Sequence, residues 1–173
     1  MAHFSEGALR DLEVLDNSGN LNEAGKELLA RLLKNLPVFH KGQWGEAFVP
    51  LMSRCVPACV ELVIVRDRKV LLCHRKDEFF EGWHTPGTYI GPGENFQEAA
   101  QRCADREIKA SVRVIKCIAT FLNNDNPWFF DLSNLLFCRI EDEPHAGEWF
   151  RDCPPNIIPV HKKFWPAIEP YLS

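Results

Sequence analysis

Carboxylates and arginines are concentrated near the middle of the chain, in an arrangement that could act on phosphates. Glu94 ends a glycine-rich loop, and Arg102, Cys103, Arg106 and Glu107 lie on the segment that follows it. On a helix, residues 103, 106 and 107 are spaced i, i+3 and i+4, so they share one face. Carboxylates on such a face could hold Mg²⁺ against a pyrophosphate. Here the face offers one thiol, one cation and one carboxylate, so we expect any Mg²⁺ to be weakly bound or absent.

A loop and a helix must position these residues. The loop is 87–93, and Asn95 with Glu98 three residues later forms an Asn version of the capping box at the start of a helix. This pattern predicts a helix running to about Ala110.

Strand-like runs lie on both sides of this loop and helix. Residues 58–65 and 70–74 predict a β-hairpin, 83–90 a broken strand, and 112–122 and 129–140 a long strand pair. A short strand at 148–150 and a closing helix at 160–172 follow. Upstream, Ser5 and the leucines after it predict one helix, and residues 21–36 predict a second, which together form a helical hairpin. The expected division is an extension at 1–48 and a domain at 49–173.

Composition limits the classes of function. With 173 residues and 46% hydrophobic content, the chain can bury one full core. A net charge of −4 without a basic stripe argues against a nucleic-acid polymer as partner. The sequence has neither a run of about 18 apolar residues nor a signal-peptide pattern, so we expect a cytoplasmic protein that does not enter a membrane. The seven cysteines, mostly within apolar segments, are expected to be free, buried thiols.

The stretch from Gly87 to Ala110, GTYIGPGENFQEAAQRCADREIKA, resembles a Nudix box that has lost most of its carboxylates. The family pattern is Gly, five residues, Glu, seven residues, then Arg-Glu-apolar-x-Glu-Glu-x-Gly-apolar. Glu94 and Arg102 match it, whereas Cys103, Arg106 and Lys109 replace two glutamates and the glycine. Of the three acidic positions after Arg102, only Glu107 is retained, and the loop has one extra residue.

A second register would align Glu98 and residues 106–108 with the middle of the pattern. It puts Pro92 at the first Gly and Ala110 with Ser111 at the Glu pair, so the first register is preferred. The resemblance extends over residues 58 to 172. It implies an α/β fold, a Nudix-like α/β/α sandwich with a mixed sheet, to which the N-terminal helical hairpin is added.

The resemblance also implies roles for individual residues. The implied metal ligands are Gly87, Glu94 and Glu107, and the implied catalytic residues are Glu107 and Glu148. The candidate substrate-binding residues are Arg75, Trp83, Arg102 and Arg106; the last two are cations that could bind phosphate in place of a metal. Structural alternatives stay open: Glu94 could stabilise the helix N-terminus, Glu107 could pair with Arg102 or Arg106, and Arg102 could make ion pairs within the loop and helix. Cys103 is expected to be an inert buried thiol.

Two functions are compatible with this pattern. One is a Nudix-type hydrolase of a nucleoside diphosphate-linked substrate, with weak or altered activity. The other is a catalytically inactive Nudix-fold protein that binds a nucleotide or a protein partner. The expected ligand is a nucleotide or a nucleotide-sugar, and the helical hairpin is compatible with a homodimer.

Overall fold

The segment between residues 58 and 150 forms seven strands and one helix, which follows the fourth strand in the sequence. In the computed structural model, the described residues are 13–35, 47–77, 80–124 and 130–173. The strands are β1 (Ala58–Arg66), β2 (Lys69–Lys76), β3 (Glu81–His84), β4 (Gly87–Tyr89), β5 (Val112–Asn123), β6 (Asp131–Ile140) and β7 (Glu148–Phe150). The helices are α1 (Glu23–Lys34), α2 (Phe48–Met52), α3 (Phe96–Glu107), α4 (Pro159–Lys162) and α5 (Trp165–Ile168), followed by a 3₁₀ turn at Glu169–Tyr171.

The strands form one mixed sheet, as predicted. Its order is β3-β2-β1-β6-β5, with β4 paired to β1 and β7 paired to β2. Strands β1 and β6 are parallel, and the other pairs are antiparallel. Strand β1 meets β2 at Val65↔Val70, but farther along it pairs with β4, at Cys59↔Tyr89. Because β3 pairs with β2 and β4 pairs with β1, the chain passes from an edge next to β2 to an edge next to β1 at residues 84–87.

Helices cover both faces of the sheet and enclose two apolar cores. On one face, α3 packs small side chains onto β1, β2 and β6 through Ala99, Ala100, Cys103 and Ala104, all with no exposed surface. On the other face, Phe164, Trp165 and Ile168 from the C-terminal segment pack against Val63, Val70, Leu72 and Leu135. The small residues on α3 let its backbone approach the sheet closely, which fixes the position of its last turn.

Local signals set both ends of α3. The Asn95 side chain accepts from the Glu98 N–H at 3.0 Å, and the Asn95 N–H donates to Glu98 at 2.8 Å, which confirms the capping box. The helix ends at Glu107, earlier than the predicted Ala110, because Lys109 has a left-handed φ of 55°. The family pattern has Gly at this position, and Gly adopts this conformation without strain.

The predicted closing helix at 160–172 is instead three short turns, so that prediction is wrong. Pro166 and Pro170 lie within the segment, and each lacks the N–H that a continuous helix needs. The segment is nevertheless firmly anchored, since Phe164 and Ile168 are buried.

The chain divides into two compact units, Met1–Gly45 and Glu46–Ser173. In the first, α1 begins at the Asn22 cap and carries exposed leucines at 28, 29, 32 and 33. The first predicted helix falls mostly outside the described residues; of its last residues, Leu15 forms an isolated β-bridge with Leu21. Nowhere in the described ranges is a helix both long and apolar enough to cross a membrane.

Candidate functional site

Arg106, in the last turn of α3, lies between two residues for which the family resemblance implies metal binding. Its Nη2 donates to the Gly87 carbonyl at 2.9 Å and to Glu107 Oε1 at 2.6 Å. Its Nη1 donates to the Thr88 hydroxyl at 3.3 Å. Gly87 and Glu107 are two of the predicted metal ligands, and a guanidinium therefore bridges them.

Glu107 is held between this guanidinium and the backbone. Its side chain is 17% exposed, and its Oε2 accepts from the Gly87 N–H at 3.4 Å. Of the two predicted ion pairs for Glu107, the structure forms the one with Arg106.

Arg102, one turn earlier, fastens the loop to the helix. Its Nε and Nη2 donate to the two carboxylate oxygens of Glu94 at 2.6 and 2.7 Å, and Nη2 also donates to the Tyr89 carbonyl at 2.8 Å. Its Nη1 donates to Thr88 at 3.2 Å. Glu94 also accepts from the Gly91 N–H, and the Arg102 hydrogen bonds lower the pKa of Glu94. The predicted metal ligand Glu94 thus has a structural partner.

A buried polar cluster, Glu61, His84, Thr85 and His161, lies where residues 84–87 cross the sheet. The Thr85 hydroxyl donates to Glu61 Oε2 at 2.6 Å and lies 2.9 Å from His161 Nδ1. His84 Nδ1 donates to the Thr85 carbonyl at 2.7 Å, and its ring contacts the His161 ring edge-on. A Cβ at Gly87 would lie only 2.5 to 2.8 Å from the Glu61 carboxylate atoms, so any other residue at 87 would force the buried Glu61 side chain to move.

Burial disfavours the charged forms of the ionisable members of this cluster. It raises the pKa of Glu61 well above its usual value, despite the Thr85 hydrogen bond, with the nearby Glu107 charge raising it further. Burial lowers the pKa of His161 well below its usual value and also lowers that of His84. The charges of Arg75 and Arg106 lower the pKa of His84 as well, whereas the Glu107 charge raises it.

Sequence reasoning missed Glu61, Thr85 and His161 as members of a site. Glu61 did leave a signal, because it is the one charged residue in the apolar run Ala58-Cys59-Val60-Glu61-Leu62-Val63-Ile64-Val65. A carboxylate within a strand that is buried on both faces needs a partner.

Cys103 is fully buried in the core beneath α3. Burial is the main cause that raises the pKa of its thiol, far above neutrality. It therefore stays protonated, as expected for an inert thiol.

The remaining predicted residues lie apart from this arrangement. Arg75 is on the α3 face of β2 but pairs with Asp77 at 2.6 Å and lies over the Phe80 ring. Trp83 packs against Phe150 in the opposite core, so its contacts are structural.

Glu148 is exposed and pairs in register with Leu72. Leu72 packs on the face opposite α3, and paired residues of antiparallel strands project to the same face. The register therefore places Glu148 across the sheet from Glu107, and this geometry argues against a shared catalytic role.

These features define a class: a mixed-sheet α/β domain in which a loop and a helix bring a backbone carbonyl and helix side chains to one point. The NUDIX domain model matches residues 57–169, and the chain belongs to this family.

Solved structures share the fold at low sequence identity. A NUDIX hydrolase from Nitrosomonas europaea is 18% identical, with a TM-score of 0.55, over 68% of this chain and 88% of that one. An ADP-ribose pyrophosphatase from Streptococcus suis is 17% identical, with a TM-score of 0.52, over 69% of this chain and 94% of that one. A UDP-X diphosphatase is 19% identical, with a TM-score of 0.55, over 86% of this chain and 81% of that one. No curated protein is significantly similar.

Enzymes of this family generally use a divalent metal such as Mg²⁺. The residues present do not fit one: within the described ranges, no group of three His, Cys, Asp or Glu side chains could hold a metal ion. The available oxygens at Gly87 and Glu107 are bound to Arg106 instead.

Proposed function

We propose that this domain binds a nucleoside diphosphate derivative and that, with a metal ion, it hydrolyses this ligand far more slowly than a working Nudix enzyme does. Membership of the family supports the class of ligand. The names of two similar structures, an ADP-ribose pyrophosphatase and a UDP-X diphosphatase, point to the same class.

The observation that carries the proposal is the guanidinium of Arg106 on Gly87 and Glu107. A divalent cation about 4 Å from this guanidinium would cost roughly 8 kcal/mol at an effective dielectric constant of about 20. That energy falls if the side chain moves away. Even then, Glu107 would be the only carboxylate left among the three acidic positions of the box after Arg102.

A hydrolase whose turnover depends on the Glu107 carboxylate is the second candidate. Arg106 is 50% exposed, and its long side chain could turn towards solvent and release Glu107. In that case Glu107 should matter for turnover.

The test is hydrolysis of ADP-ribose and UDP-glucose with Mg²⁺, together with a thermal-shift panel of nucleotides with and without Mg²⁺. We expect turnover at least about 1,000-fold below a typical enzyme rate of about 10 s⁻¹, and Glu107→Gln should leave it unchanged. At least one nucleotide should raise the melting temperature. Turnover of about 10 s⁻¹ that Glu107→Gln abolishes would contradict slow hydrolysis, and no stabilising nucleotide would contradict binding.

A further inference from the structure

We infer that Arg106 is itself a diphosphate ligand, so that the nucleotide binds to this domain without a divalent metal. The inference rests on the proposed nucleotide binding and adds the group that receives the phosphates. It replaces a bound cation with a cation that belongs to the chain.

Arg106 has donors left for an anion. A guanidinium carries five N–H groups, and Arg106 directs two from Nη2 to Gly87 and Glu107 and one from Nη1 to Thr88. The Nε–H and the second Nη1–H have no acceptor among the described residues. Because the side chain is half exposed, a phosphate can reach these two groups while the guanidinium keeps its bonds to the chain.

Arg102 has less of this capacity. Its Nε–H, both Nη2–H groups and one Nη1–H donate within the loop and helix, to Glu94, Tyr89 and Thr88, which leaves one Nη1–H. Two arginines one helical turn apart therefore differ in their free donors: Arg102 directs four N–H groups to the loop and Glu94, whereas Arg106 keeps two for an anion.

The local charge also favours an anion, because the carboxylates here are paired with arginines, whereas those of a metal site are unpaired. Two ion pairs lie at the site: Arg102–Glu94 and Arg106–Glu107. Two cations thus match two carboxylates, and burial disfavours the charged form of the Glu61 carboxyl, which accepts a hydrogen bond from Thr85, and raises its pKa. A set of unpaired carboxylates would repel a diphosphate until a metal neutralised them. This arrangement is neutral before any ligand arrives.

The experiment is calorimetric titration with pyrophosphate, ADP-ribose and UDP-glucose, each in EDTA and in Mg²⁺. The proteins are the unmodified chain, Arg106→Gln, Arg106→Lys and the control Arg113→Gln. Arg113 is a fair control because it is similarly exposed, also pairs with a carboxylate (Glu141), and lies on β5. Melting temperatures show whether each variant is folded.

At least one probe should bind the unmodified chain equally well in EDTA and in Mg²⁺. Arg106→Gln should weaken this binding by about tenfold or more, the loss expected for one charge-assisted hydrogen bond. Arg106→Lys should bind with intermediate affinity because it keeps the charge but not the planar donors, and Arg113→Gln should bind as tightly as the unmodified chain.

Binding that requires Mg²⁺ would overturn the inference and leave the proposed function standing. Binding in EDTA that a folded Arg106→Gln retains, or that Arg113→Gln loses equally, would also overturn the inference alone. If no probe binds under either condition, both the inference and the proposed function fail.

Discussion

Arg102 and Arg106 are expected to contribute unequally to stability, although they lie on the same helix one turn apart. Arg102→Gln removes the bidentate pair with Glu94 and the bond to the Tyr89 carbonyl, which together hold the loop to α3. Arg106→Gln removes a pair with its own neighbour in sequence and bonds to Gly87 and Thr88.

The magnitude follows from geometry and exposure. A charge-assisted pair contributes about 1.5–3 kcal/mol when well formed. Arg102 is 43% exposed and Glu94 23% exposed, so solvent screens part of the interaction. We expect Arg102→Gln to lower the free energy of unfolding by about 2 kcal/mol, and Arg106→Gln by less than about 1 kcal/mol.

The assay is urea unfolding of both variants at neutral pH, with Arg113→Gln as the control for loss of an exposed pair. The control should change stability by less than about 0.5 kcal/mol. For a chain of this length, the Arg102 loss corresponds to roughly 4–8 °C in melting temperature. Equal losses for Arg102→Gln and Arg106→Gln would refute the division of roles between the two arginines.

Three further outcomes are expected. Burial raises the pKa of Glu61 in the folded state, so the contribution of Glu61 to stability is present below the unfolded pKa of about 4.3 and declines as the pH rises. The free energy of unfolding of Glu61→Gln should therefore increase relative to that of the unmodified chain between pH 4 and pH 8. A difference in urea unfolding that stays constant over this range would contradict this. Lys109→Gly should raise the free energy of unfolding by about 1 kcal/mol because φ is 55° there, and a lower melting temperature would count against the left-handed assignment. A thiol reagent should label Cys55 and Cys117 quickly and the buried cysteines only after unfolding, as followed by mass spectrometry.

The sequence by itself determined the elements whose causes are local. The Asn95 and Glu98 capping box, the hairpin of β1 with β2 and the long pair of β5 with β6 follow from turn residues, caps and apolar periodicity. The order of these elements and the quoted loop-helix motif were enough to predict the mixed sheet and the family.

Local signals failed where chain geometry or packing intervened. The helix predicted at 160–172 broke into short turns at its prolines. The substrate role of Trp83 stays a prediction; its side chain is partly buried against the core opposite α3.

Only the tertiary structure decided what the candidate site contains. Glu61, Thr85 and His161 come together because β1, the segment at 84–87 and α4 converge. Their separations in the sequence do not predict these contacts. The sequence showed that Arg102 and Arg106 are one turn apart. It did not show that Arg102 donates to Glu94 and the loop, or that Arg106 bridges Gly87 and Glu107. Hydrogen-bond partners depend on the angle at which a helix meets a loop, and that angle is set by core packing far from either arginine.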